Sequence, residues 1–249
     1  MRRRSIALSA AMLLTVPLAA GCMGSGPPLE VAELVTETET VPRDGVTELE
    51  VVIDLGIGAI DISGGAKSAL DAEFTYNVPK WEPVFEHSTR GDVTSVTIRQ
   101  PETKNGNVGD DAENLWSVRL PDDIPCALTL DVGVGESIID LDGVHVTSIT
   151  VDAGVGSVDL SLHGTRSDDL SVSIDGGVGE LVVHVPRDLA VRVTGDTGIG
   201  AFRTNGLRSV DGYLVNDAYK AGGQAIDIKI DAGIGEIIVD TEERGTARA

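Results

Sequence analysis

Six aspartates recur in one setting, and a carboxylate repeated at regular intervals could do chemistry. The pattern Asp-x-Gly-(Ile/Val)-Gly starts at Asp54, Asp131, Asp152, Asp175, Asp196 and Asp231. Two roles suit a carboxylate followed by glycines. It can cap a sharp bend by accepting N–H bonds from residues just downstream. Stacked with its neighbours, it can instead form a ladder that attracts cations. On adjacent strands the carboxylates would lie ~4.8 Å apart and repel by about 0.9 kcal/mol per pair in bulk water. Such a ladder would welcome Ca2+. However, one carboxylate per coil supplies few of the roughly six to eight oxygens that calcium takes. The order and period also differ from the Gly-Gly-x-Gly-x-Asp repeat of calcium-loaded β-rolls. Turn formation is therefore the expected role of the six aspartates, the cation ladder is its rival, and no cofactor is expected.

The other chemistry-bearing residues do not assemble in the sequence. His87, His145, His163 and His184 are not spaced with one another, or with Cys or Glu, as a metal set would be. No Gly-x-Ser-x-Gly, His-Glu-x-x-His or phosphate-loop motif occurs. The glycine repeats precede strand-like runs and open no helix, so they are not nucleotide fingerprints. The expectation is that the chain is not an enzyme. The enzyme alternative is a polysaccharide-cleaving β-helix using outer-face carboxylates with an Arg or Lys base. Cys126, in "IPCALTLDV", shares a strand face with Leu128 and Leu130 and reads as a buried apolar residue.

The elements that position the aspartates follow from the repeat itself. Successive copies start 77, 21, 23, 21 and 35 residues apart, and each is followed by a second short strand-like run. In "LTLDVGVG" the residues Leu128, Leu130, Val132 and Val134 alternate with polar or glycine positions, and "IKIDAGIG" repeats this with Ile228, Ile230, Ala232 and Ile234. Period two predicts strands with one buried face. A unit this short cannot bury its apolar face alone, and stacking on the next unit supplies a shared core. The predicted fold is an all-β, right-handed single-domain β-solenoid, with an antiparallel β-sandwich as the alternative. The expected divisions are a signal and lipobox at 1–22, a tether at 23–34, an N-terminal β region at 35–120, the solenoid repeats at 121–241 and a polar tail at 242–249. For a solenoid that stacks end to end, the run "EIIVD" would present the unpaired edge.

The N-terminus bears on location. Arg2, Arg3 and Arg4 precede an apolar stretch that stops at Cys22, which predicts a secretory signal too short for a stable membrane span. The ending "LAAGC" resembles the bacterial lipoprotein box, which implies lipidation of Cys22, although Ala19 stands where Leu is usual; an ordinary signal cleaved after an Ala-x-Ala-like site is the alternative. The expected location is the bacterial cell envelope, lipid-anchored, periplasmic or surface-exposed, with the membrane contacted through the lipid. The chain carries 19 basic and 40 acidic residues, a net charge of −21. Without the three signal arginines the charge falls to −24. Such a surface repels phosphate backbones, so no nucleic acid partner is expected.

The runs "LWSVRLPDDIPCALTLDVGVGESIIDLDGVHVTSITVDAGVGSVDL", "SIDGGVGELVVHVPRDLAVRVTGDTGIGAF" and "AIDIKIDAGIGEIIV" resemble the toast-rack proteins. These are bacterial domains related to surface adhesins and to the C-terminal domain of some cell-wall-stress response proteins. The resemblance implies a β-solenoid scaffold and an envelope location, and carries no catalytic residue with it. Five of the eight aromatics, Phe74, Tyr76, Trp81, Phe85 and Trp116, lie between Gly64 and Asp131. They are expected to cap the solenoid. Trp81, Trp116 and Tyr213 are also candidates for a partner surface, with Trp81 and the loop 101–114 the best exposed. The functional expectation is a non-enzymatic, lipid-anchored envelope interaction module with a polysaccharide or protein partner. A purely structural, self-stacking envelope protein is the alternative.

Overall fold

The computed structural model describes residues 29–102, 109–163 and 170–242. The signal segment with Cys22, the start of the tether and residues 243–249 lie outside the described residues, as do residues 103–108 of the loop singled out above. Thirteen strands are described: β1 (Val35–Val41), β2 (Glu48–Ser63), β3 (Leu70–Tyr76), β4 (Val84–Arg90), β5 (Val93–Arg99), β6 (Asn114–Arg119), β7 (Cys126–Asp140), β8 (Val146–Ser161), β9 (Leu170–Pro186), β10 (Val191–Asn205), β11 (Arg208–Val210), β12 (Tyr213–Val215) and β13 (Ile226–Glu242). All belong to one sheet.

Six of these strands are 15 to 17 residues long, and each contains one copy of the repeat at its middle. A copy is therefore a single strand creased at its glycines. In β7 the first arm buries Cys126, Leu128, Leu130 and Val132, whereas the second arm buries Ser137 and Ile139. The buried parity switches from even to odd across the crease, so both arms face a common core. Between β7 and β8 the third side of the coil is a short return. There Val144 N–H donates to the Leu141 carbonyl at 3.1 Å, Gly143 takes φ +75°, and Leu141 and Val144 plug into the core.

The parity switch overturns part of the expected alternation. Val134 and Ile234 do not share the buried face of Leu128 or Ile228; both are about half exposed. Period two breaks at the glycine pair and resumes in the second arm with the opposite parity.

The creased strands pair in parallel and in register, with Asp54 opposite Asp131, Asp131 opposite Asp152, and Asp152 opposite Asp175. The spatial order then departs from chain order. β13 lies between β9 and β10, so Asp175 faces Asp231 and Asp231 faces Asp196. The unpaired edge expected at "EIIVD" is thus absent, because β13 is paired on both sides. The second arm of β10 has ladder partners only on its β13 side among the described residues.

Each end of the stack is closed differently. Beyond β2, the first-arm wall continues into β5 and β4, and the second-arm wall into β6, β3 and β1. Neither continuation crosses the crease. Two side-chain amides fill the gap: Ile57 N–H donates to Gln100 Oε1 at 2.9 Å, and Asn114 Nδ2 donates to the Ile57 carbonyl at 2.8 Å. Phe74 meets Trp116 edge-on at 5.3 Å and Phe85 at 6.5 Å, which plugs this end of the core. At the other end β10 holds Gly195 where β13 has Ile230, and the Phe202 ring folds into the space a side chain there would take.

The glycines are required for two separate reasons at the crease. Gly156 has φ +146°, a backbone conformation that L side chains rarely adopt. Its missing Cβ would also run into the carbonyl oxygen of Gly135 on the adjacent strand, and a Cβ at Gly154 would meet that of Gly133. The glycines thus stand in two columns through which neighbouring backbones touch. Gly156→Ala is expected to cost about 2 kcal/mol or more of stability, read as a lower urea midpoint. An unchanged midpoint would show that the crease tolerates a side chain.

Candidate functional site

Register places the six repeat aspartates in one outward-facing column in the order Asp54, Asp131, Asp152, Asp175, Asp231, Asp196. Capping is met at Asp196, whose Oδ1 accepts the Thr197 N–H at 2.8 Å. At the other five, no backbone N–H donates to the carboxylate among the described residues. Bending is therefore the work of the glycines. Among the described residues no three His, Cys, Asp or Glu side chains converge as a metal would require.

Beside the aspartates runs a row the alternation pattern had placed inside. The aliphatic residue between each glycine pair emerges on the outer surface, in the spatial order Ile57, Val134, Val155, Val178, Ile234, Ile199. The last five are 47% to 69% exposed. They stand there because the crease turns the chain away from the core at that residue. The residue after the aspartate shrinks from Leu55 and Val132 to Ala153, Gly176 and Ala232 before the last strand of the stack, β10, carries Thr197. That taper opens a narrow apolar cleft beside the row, with Ile174 and Leu181 at its floor and Val178 and Ile234 at its rim.

A second concavity lies on the outer face of the second-arm wall. Cross-strand pairing aligns Glu73, Ser117, Asp61 and Ile138 in one rank, and Thr75, Leu115, Ala59 and Glu136 in the next. Small side chains at Ala59, Ser63 and Ser117 sink this surface into an open groove of about 530 Å³ with Arg119 on its wall.

The aromatic candidates separate. Trp81 and Trp116 are only 2% exposed, so neither ring is free to meet a partner, and Trp81 is not the exposed residue expected. Trp116 Nε1 donates to Asn114 Oδ1 at 2.9 Å, which makes it part of the end plug. Tyr213, 37% exposed, lies beneath the Arg192 guanidinium at 4.9 Å, and Arg192 also donates to Asp227.

Sequence reasoning missed two side-chain clusters. His184 faces outward by register yet is buried, with Nε2 3.2 Å from Asp159 Oδ1 and Nδ1 2.9 Å from Glu242 Oε1. The His163 ring lies 6.0 Å from that of His184, so two histidines unrelated in spacing hold the end of β13. Asn216, also buried, accepts from the Val191 N–H and donates to the carbonyls of Pro186 and Leu189. It pins the link that carries the chain from β9 past the slot of β13. Neither cluster is recognisable until the strand order is known.

The family model described as "N-terminal domain of toast_rack, DUF2154" matches residues 30–184, more than half of the chain. The chain belongs to the toast-rack family. A structure of a putative cell adhesion protein from Clostridium sporogenes ATCC 15579 is similar to this toast-rack chain at 29% identity and a TM-score of 0.81, covering 84% of this chain and all of that one. A putative adhesin from Bacteroides fragilis NCTC 9343 covers 86% of this chain and 99% of its own, at 13% identity and a TM-score of 0.32. Comparison with curated proteins returned no match.

Two measurements probe this toast-rack surface and core. Asp175→Asn removes one charge from the middle of the column and should raise stability by up to about 1 kcal/mol at low ionic strength, a gain that shrinks with added salt. A loss of stability would mean that the carboxylate holds the crease after all. Burial pushes the Cys126 thiol up to about 12. The folded chain should therefore leave a thiol reagent unreacted at pH 8 and react only on unfolding. By the same linkage, the stability owed to the protonated thiol is complete below the unfolded thiol's pKa, near 9, and is lost as pH rises toward 12.

Proposed function

We propose that this chain is a non-enzymatic interaction module of the bacterial envelope, tethered by a lipid on Cys22 and making contact through its outer faces. The observation that carries this reading is the similarity, over the whole length of that structure, to the putative cell adhesion protein from Clostridium sporogenes. The construction of the fold supports it. The interior is a continuous packed core of mainly aliphatic side chains, and the outer surface offers a long, regular set of ranks rather than one deep pocket.

The self-stacking alternative meets an obstacle at the β1 end. Glu37 and Glu39 lie opposite Phe74 and Ala72, on the core-side face of the edge strand. Inward-pointing charges on an edge discourage another strand from adding there.

Beads coated with the full chain should adhere to isolated envelope material more strongly than beads carrying an unrelated protein of equal negative charge. Equal retention would overturn the interaction reading. Cys22→Ser should move the protein from the membrane fraction to the soluble fraction, and continued membrane retention would rule out the lipid tether.

A further inference from the structure

No element among the described residues covers the row of aliphatic residues along the crease, and its surroundings narrow what could cover it. Five steps between strands at ~4.8 Å make the row ~24 Å long. One flank is the column of six aspartates, three positions earlier in each strand; the other carries Glu136, Glu180 and Glu236, two positions later. Of these acids, Glu236 is paired with Arg203. Strands β7, β8 and β9, which carry the middle of the row, contain no Lys or Arg. The surface is thus an apolar stripe between two acidic rails, with a side-chain-sized cleft at Ala153, Gly176 and Ala232.

We propose that this stripe is a docking surface for a basic amphipathic helix of a protein partner, and this rests on the interaction-module reading above. Charge selects the occupant. A second copy would oppose one set of acidic rails to another, and an anionic membrane surface would be repelled in the same way. The stripe carries no aromatic ring on which a sugar could stack. A helix with Lys or Arg flanking an apolar face satisfies both rails and covers the aliphatics. Spacing agrees: apolar residues at i, i+3 and i+7 rise ~4.5 and ~10.5 Å along a helix, close to ranks at ~4.8 and ~9.6 Å. About 16 helical residues would span the row.

The test uses the full chain and a fluorescent Leu/Lys amphipathic peptide of about 16 residues, at physiological salt to screen diffuse attraction. A scrambled peptide of the same composition, without an apolar face, is the control. The amphipathic peptide should bind at least about tenfold more tightly than the scrambled one. Val155→Thr with Val178→Thr, both exposed strand positions, should weaken binding about tenfold or more while the thermal midpoint stays unchanged. Asp152→Asn with Asp175→Asn should weaken it comparably. Equal binding of both peptides, or wild-type binding by the Val variant, would reduce the effect to diffuse charge and overturn the proposal. The bead assay separates the two readings. Peptide binding that is lost in the Val155→Thr, Val178→Thr variant, by beads that ignore envelope material, supports the docking surface and removes the module reading. Beads that adhere while the peptide binds that variant as it binds the wild type leave the module reading and remove the docking surface.

Discussion

The close approach of backbones at the crease governs the rest of this structure. Adjacent strands touch through stacked glycines, with the Cβ position of Gly135 occupied by the Gly58 carbonyl, and that of Gly179 by the Gly156 carbonyl. Backbone in a sheet can come this near only where no side chain intervenes. Because the contact recurs on every strand of the stack, no single strand can relax without pulling its neighbour out of register. The bend, the parity switch and the alignment of the two arms around one core all descend from it.

The same crease decides what the molecule shows to its surroundings. A strand that reverses its inward face must pass through one residue belonging to neither arm. Here that residue is Ile or Val at every crossing, and five of the six are 47% to 69% exposed. An aliphatic side chain at every one of these positions gives the outer row its meaning, since scattered exposed apolar residues are ordinary but an aligned set is not. The carboxylates beside it then read as the polar border of an apolar strip rather than as a metal cage.

How far the sequence reveals this architecture can be judged residue by residue. The Asp-x-Gly-x-Gly repeats and the alternation of Leu128, Leu130 and Val132 disclose the stacked β coils, because period and glycine placement are local properties. The outward position of Val134 is not visible, since a period-two pattern has no way to mark where the pleat reverses. Trp81 and Trp116 illustrate the same limit: composition picks out the rings, but only packing decides whether they cap the core or face solvent. The order of the last two creased strands was hidden for another reason. Repeats announce kinship among segments and say nothing about which slot each occupies. Two residues do carry a trace of it. Gly195 replaces an aliphatic of the first arm and Phe202 compensates from the second, the mark of a coil with no full-length neighbour on one side.

The placement of β13 has a consequence for the order in which the sheet can close. The strands β2, β7, β8 and β9 follow one another both along the chain and across the stack, so each pairs with a strand that precedes it. β10 is next along the chain yet has no place against β9, because that position is taken by residues 226–242. It joins the stack through β13, while its link is held by the Asn216 clasp and the small hairpin of β11 and β12. Closure of the solenoid therefore waits on a contact distant in sequence, and until β13 slots in, β9 and β10 each present an open rim.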